Sequence, residues 1–340
     1  MKFSQEEILT FNPYKDHNLD VEVRLVLKDI VKNEFSHLIV IKPRKSVQIK
    51  VKELDNHLLY KYKYQIKSGN KWQDHIMYQN IIEENETDEG IKYLFFPGNR
   101  KTNLFAKKKD NHLIVIFQGI KDLNRTTYYN YIKTLKDVNA PRLYIKDDYG
   151  TDEKTHTSYY LGPNKSFTIS DKVLNLIEAA RTELDIDKEN VICAGSSKGG
   201  YAALYFSHKG KYGYAVVGGP QILIGNYLSN GKIDGHEEKS ILPPILRYLC
   251  GEITVENIEW ANNILLNEIK RSEHQPNIAL HVGKDEPHYP NHVVPLLHFF
   301  EETGRKEIQL DLGDYSTHKD LAKHFPDFLE RNVKAICDSN

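Results

Sequence analysis

The stretch Val191-Ile192-Cys193-Ala194-Gly195-Ser196-Ser197-Lys198-Gly199-Gly200-Tyr201-Ala202-Ala203-Leu204-Tyr205 decides how this chain is read. It opens with four apolar residues of strand character. Gly195-x-Ser197-x-Gly199 follows, and then a run of helix formers. A strand that turns directly into a helix leaves no room for side chains beside the turn residue. Flanking glycines relieve that crowding and permit strained backbone angles. The Ser197 hydroxyl then stands at the edge of a sheet, with the N-terminus of the next helix favouring negative charge there. A phosphate-binding loop would need GxxxxGK[ST], and a dinucleotide loop GxGxxG with an acid ~20 residues on; residues 195–200 match neither.

Working outward, short and continuously apolar runs recur: Leu113-Ile114-Val115-Ile116-Phe117, Leu143-Tyr144-Ile145, Tyr214-Ala215-Val216-Val217, Ile278-Ala279-Leu280-His281-Val282 and Ile308-Gln309-Leu310. Strands apolar on both faces belong to a parallel sheet covered by helices on both sides. Helix-length segments lie between them. The clearest is 171–184, with Ser170 as its expected N-cap. Strand–helix alternation around a nucleophile elbow predicts an α/β-hydrolase fold, with a doubly wound, mainly parallel sheet over 91–340. Residues 219–275 break the rhythm with Pro243-Pro244 and two helical pieces, and are read as a helical insertion and candidate lid. Residues 1–90 differ. Runs such as Val21–Leu27, Ser46–Val51 and Leu58–Tyr64 alternate with period two, which predicts a β-rich, sandwich-like accessory domain. The only helix expected there is a short one near 28–35.

A serine is a poor nucleophile without a base. In this fold the acid and then the histidine follow the serine in the chain. His318, in Asp314-Tyr315-Ser316-Thr317-His318, falls just after the last expected strand and is favoured as base over His324. The acid belongs after Ile278–Val282, where Asp285 and Glu286 compete. The usual offset past the glycine favours Glu286; the commoner residue type favours Asp285. Two backbone N–H groups must meet the developing oxyanion. Lys198 would supply one and the Gln118-Gly119-Ile120 loop the other, through Gly119 or Ile120. Asp148, Tyr149, Tyr159 and Tyr160 lie in loops at the same sheet edge. Their exposed rings and carboxylates would suit a polyhydroxylated sugar. His288 and His292 are four apart, but no HExxH or nearby cysteine accompanies them, so no metal is expected.

Composition excludes other classes. Lys+Arg number 46 and Asp+Glu 47 among 340 residues, so the net charge of −1 offers nothing to nucleic acid. The longest basic run, Lys107-Lys108-Lys109, reads as a solvated turn. No apolar stretch reaches the ~18 residues of a membrane span. Met1–Glu7 lacks the apolar run of a signal peptide. Cys193, Cys250 and Cys337 form no framework, which fits a reducing cytoplasm.

Gly195–Tyr205, together with Asp147-Asp148-Tyr149-Gly150, Ser158-Tyr159-Tyr160 and Asp285-Glu286-Pro287-His288-Tyr289, resembles a bacterial α/β-hydrolase group. That group contains accessory secretory-pathway glycan O-acetyltransferases and capsular polysaccharide biosynthesis proteins. The resemblance covers roughly residues 90–335. It implies a Ser197–Glu286–His318 triad and strengthens Glu286 over Asp285. It also implies acyl-ester chemistry on a surface or capsular glycan, by transfer or hydrolysis. Partners in a biosynthesis complex fit the same picture. No bound cofactor is expected, and acetyl-CoA is a candidate acyl donor. Rival readings are an intracellular peptidase or thioesterase, and a catalytically inactive scaffold in a glycan-export or biosynthesis complex.

Overall fold

A computed structural model describes residues 8–54, 59–76, 78–82, 84–96, 98, 112–120, 129–149, 157–229 and 241–339. The Lys107–Lys109 run, Gly150 and part of the expected insertion lie outside these residues. The chain divides into two compact units, Met1–Asn85 and Glu86–Asn340.

The first unit is β-rich. Its elements are β1 (Ile8–Phe11), a short helix α1 (Pro13–His17), β2 (Val23–Asp29), β3 (Phe35–Ile41), β4 (Val47–Lys50), β5 (Leu59–Ser68), β6 (Lys71–Asp74) and β7 (Gln79–Ile82). β2, β3, β5, β6 and β7 form one antiparallel sheet, and β1 pairs with β4 in a separate two-stranded ribbon. Phe11 and Ile49 from the ribbon share a core with Val23, Leu25, Leu27, Ile41 and Tyr64 of the sheet. The helix expected near 28–35 is absent. β2 runs on to Asp29 and returns as β3 through a turn. There the Asp29 carboxylate accepts from Lys32 N at 2.9 Å, and Asn33 adopts a φ of 60°. Asp and Asn stabilise such turns more readily than helix interiors. α1 escaped the sequence reading, although Asn12 before Pro13 is a helix-start signal and the Asn12 side chain does accept from Lys15 N.

The second unit contains β8 (Asn85–Glu86), β9 (Lys92–Phe96), β10 (Leu113–Phe117), β11 (Arg142–Ile145), helix α2 (Thr168–Glu183), β12 (Val191–Ser196), α3 (Lys198–Lys209), β13 (Tyr214–Gly218), α4 (Ile224–Ser229), α5 (Leu242–Cys250), α6 (Val255–Arg271), β14 (Asn277–Gly283), α7 (Val294–Glu302), β15 (Gln309–Gly313) and α8 (Leu321–Asp338). The sheet order is β15-β14-β13-β12-β10-β11-β9-β8. β10 to β15 pair in parallel, whereas β9 is antiparallel to β11. Every residue of β10, β11 and β12 is buried, as expected for strands covered on both faces.

α2 starts earlier than expected. Ser170 is not its cap; it lies inside the helix, fully buried, with its hydroxyl donating to Tyr205 Oη at 3.2 Å. α4, α5 and α6 fill the 219–275 region. Their apolar faces, including Ile224, Leu246 and Leu265, join the same core as the sheet. Among the described residues, no helix is long and apolar enough to cross a membrane. The parallel arrangement brings the C-terminal ends of β10, β12, β13 and β14, and the loop after β15, to one edge, where α/β sheets place their sites.

Candidate active site

Ser197 sits between β12 and α3 with φ 56° and ψ −122°, angles a non-glycine residue adopts only under strain. Its neighbours explain how the turn is held. A side chain on Gly199 would strike the Phe117 carbonyl of β10, and one on Gly195 would strike the Gly199 carbonyl. Ser197 N donates to Gly218 O at 2.8 Å, which fixes the elbow to the end of β13.

The Ser197 hydroxyl meets His318, the histidine that follows the last strand. His318 Nε2 lies 3.1 Å from Ser197 Oγ, and His318 Nδ1 lies 2.6 Å from Glu286 Oε1. Glu286 is wholly buried, and its other oxygen accepts from Gly283 N at 3.2 Å. Burial pushes its carboxyl up, but the hydrogen bond and charge of His318 outweigh burial and hold it below its ordinary value. That network leaves the Nδ1 proton facing Glu286 and a lone pair facing the serine. Geometry separates the two acids. Asp285 is exposed, while Glu286 folds inward from the tight Gly283–Glu286 turn. His324 lies in α8, stacked on Tyr315 with ring centroids 4.8 Å apart.

Lys198, directly after the serine, does two things. As the first residue of α3, its N–H has no helical carbonyl to meet. Its side chain, which the sequence reading left unassigned, is buried and reaches Asp147 at 2.8 Å and Thr157 Oγ1 at 2.9 Å. Asp147 also accepts from Thr157 Oγ1, Ser158 N, Ser158 Oγ and Tyr160 N. Burial opposes its charge, yet Lys198 and these donors keep it below the usual carboxylate range; burial in turn lowers Lys198. No spacing rule links positions 147 and 198, so this hub was not legible in advance.

In the 118–120 loop two backbone N–H groups already have partners. Gln118 N donates to Tyr160 Oη at 2.7 Å, and Gly119 N donates to Asn130 Oδ1 at 3.1 Å. The Gly119 N–H is therefore engaged by Asn130, and Ile120, half-buried, follows it at the site edge.

The sugar-stacking expectation is corrected for two residues. Tyr159 and Tyr160 are fully buried, because Tyr201 packs on Tyr159 and Phe117 and Phe206 pack on Tyr160. Their faces offer nothing to a ligand. Tyr149 and Asp148 are half-buried. Tyr149 Oη accepts from Lys92 N at 2.9 Å, and Asp148 pairs with Lys92 at 3.2 Å and Lys146 at 3.5 Å.

His288 and His292 do not face outward as a pair. His288 Nδ1 donates to Gly219 O at 2.9 Å, and His292 Nδ1 accepts from Leu223 N at 3.2 Å. The donor atoms of Glu286, His288 and His318 lie within 4.8 Å of one another. A cation there would have to break the Glu286–His318 hydrogen bond. One residue was missed entirely: Gln221, fully buried, whose Nε2 donates to Ser197 Oγ at 2.6 Å.

The parallel sheet and its elbow make this an α/β-hydrolase fold, and solved structures of that type align with it. A fluorophosphonate-binding serine hydrolase F of Staphylococcus aureus is similar at 12% identity and a TM-score of 0.51, over 75% of this chain and 96% of that one. The family model described as accessory Sec system GspB-transporter matches residues 32–292, more than half of the 340-residue chain, and the chain belongs to that family. The capsule O-acetyltransferase of Neisseria meningitidis serogroup A is similar at 22% identity and a TM-score of 0.58, over 79% of this chain and 98% of that one. A glycosylation associate protein (Gap123) complex from Streptococcus agalactiae is similar at 16% identity and a TM-score of 0.59, over 98% of this chain and 62% of that one. At these identities the likeness is one of fold. No curated protein matches the sequence.

Proposed function

We propose that this chain is a serine acyl-ester enzyme that forms or cleaves O-acetyl esters on a bacterial surface or capsular glycan. The observation that carries the reading is the unbroken hydrogen-bond chain Ser197–His318–Glu286 on a strained elbow. Ser197 Oγ attacks the acyl carbonyl while His318 Nε2 takes its proton. Glu286 holds the imidazole and stabilises the imidazolium. Lys198 N–H takes the oxyanion, joined by Ile120 N–H or by Gly119 N–H once Asn130 yields it. Collapse expels the leaving group, which receives the proton from His318. A sugar hydroxyl or water, deprotonated by His318, then attacks the acyl-enzyme.

The glycan rests on the similarity to a capsule O-acetyltransferase, a variant of which has been solved in complex with CoA. Acetyl-CoA is accordingly the donor to test first. Similarity to a glycosylation-associated complex supports work inside an assembly, and the cytoplasm is proposed from the cysteine usage of the sequence alone. Asp148 and Tyr149 remain the residues proposed to meet the sugar. Intact-mass detection of an acetyl adduct, with acetyl-CoA or acetylated oligosaccharides, tests the reading. Ser197→Ala is expected to abolish the adduct and fluorophosphonate labelling. Labelling of that variant at the wild-type rate would overturn it.

A further inference from the structure

The segment after β13 runs beneath all three members of the Ser197–His318–Glu286 chain. Gly218 O accepts from Ser197 N. Gly219 has a φ of 43°, and a Cβ there would lie 2.9 Å from Glu286 Oε1 and 3.4 Å from His318 Cε1. Two residues on, Gln221 turns its amide to the serine.

We propose that Gln221 is a positioning residue for Ser197, its amide filling one lone pair of Oγ so that the hydroxyl proton is directed at His318, with Tyr159 fixing which end of the amide does this. The proposal rests on the reading of Ser197 as nucleophile. A hydroxyl has one proton and two lone pairs. Gln221 Nε2 donates to Oγ at 2.6 Å, and His318 Nε2 waits 3.1 Å away. The proton then has one acceptor in reach. With the amide reversed, its carbonyl oxygen would draw the serine proton away from His318.

Tyr159 opposes that reversal. Its phenol donates to Gln221 Oε1 at 2.9 Å. It is fully buried, and burial holds it protonated far above any working pH, so it always has a proton to place, and reversing the amide would take away the Gln221 oxygen that receives it. Buried amides are costly unless both ends are partnered, and here both are.

The backbone is bent to make this contact. Tyr159 and Tyr160 are consecutive non-glycine residues with φ of 53° and 56°. Such conformations persist only where the surroundings over-determine them. Asp147 does so, accepting from Ser158 N, Ser158 Oγ and Tyr160 N on either side.

The test uses the full chain and the second-order rate of fluorophosphonate labelling at Ser197, measured across pH. Gln221→Met keeps the length and loses the donor; it is expected to label roughly 10- to 100-fold more slowly. Tyr159→Phe, nearly isosteric, is expected to slow labelling about 3- to 10-fold, the worth of one neutral hydrogen bond. Gln221→Glu keeps the length but replaces the amide donor with an acceptor, which would draw the serine proton away from His318; it is expected to label no faster than Gln221→Met, an order that a purely structural role, which the near-isosteric Glu would fill, would not produce. Labelling of Q221M and Y159F within twofold of wild type, or near-wild-type labelling of Q221E, would overturn the proposal. A wild-type protein that does not label at all would instead overturn the nucleophile reading, and this inference with it.

Discussion

The imidazole of His288 lies against that of His318, with ring centroids 3.9 Å apart and planes tilted by 40°. Two histidines this close do not both carry charge cheaply. His288 is the one that stays neutral: burial, then the charge of His318, pushes it down to about 3. His292, 5.1 Å beyond His288, is pushed down to about 4 by burial and by His318. In the proposed reaction, where His318 takes a proton from Ser197, its nearest histidine neighbours therefore add no positive charge.

Stability should track this arrangement. An unfolded histidine titrates near 6.5, whereas folded His288 and His292 titrate near 3 and 4. Below pH 6.5 the unfolded chain binds protons that the native chain refuses. Stability is thus complete above that pH and is lost as pH falls toward 4, by about 1.4 kcal/mol per pH unit for each such histidine. Glu286, held below its ordinary 4.5, adds a further loss only under that value. Urea unfolding between pH 7.5 and 5 checks the slope. His288→Asn should lower the slope by about one histidine's share, with His292 and His208 still contributing, and an already flat wild-type profile would refute buried neutral histidines.

The two acids separate cleanly in kinetics. Glu286→Gln keeps the volume but loses the charge that holds His318 in its reactive tautomer. kcat/KM for p-nitrophenyl acetate should fall by about 10³-fold or more. Asp285 is exposed, and Asp285→Asn should stay within about twofold. Equal effects would sink the assignment.

The Lys198–Asp147 pair is an obligation of the fold more than a source of stability. Removing one partner strands a buried charge. Lys198→Met or Asp147→Asn should each lower unfolding free energy by about 3–5 kcal/mol. The double variant should lose less than the sum. Additive losses in denaturant titrations would argue that the pair is not coupled.

Gly199→Ala probes the elbow. The added methyl would drive α3 away from the Phe117 carbonyl. A destabilisation of about 1–3 kcal/mol is expected, with a larger proportional loss of Ser197 labelling. Unchanged labelling would mean that the β10 loop is not held against the serine.

Much of this architecture was legible in the sequence, for reasons particular residues show. β10, β12 and β14 read as strands because parallel strands are apolar on both faces. The strained turn at Ser197 was legible because its glycines answer a local steric demand. That His318 would fall beside it followed from chain order. What escaped depended on contacts remote in sequence. Tyr159 and Tyr160 looked like surface aromatics because nothing local reveals that Tyr201, Phe117 and Phe206 cover them. Asp147 looked no different from Asp148 until Lys198, 51 residues away, chose between them. Gln221 carries no motif. β9 was missed because Lys92-Tyr93-Leu94-Phe95-Phe96 mixes polar and apolar faces at the antiparallel side of the sheet.

Asp147 has a further consequence, one of timing. It gathers Lys198 from the nucleophile helix and Thr157, Ser158 and Tyr160 from a strained loop. Each contact closes a loop of chain, and such closures come late compared with local structure. The geometry around Ser197 thus depends on segments upstream of it having docked. On the proposed reading of Ser197, its activation belongs to the finished domain and to no local segment.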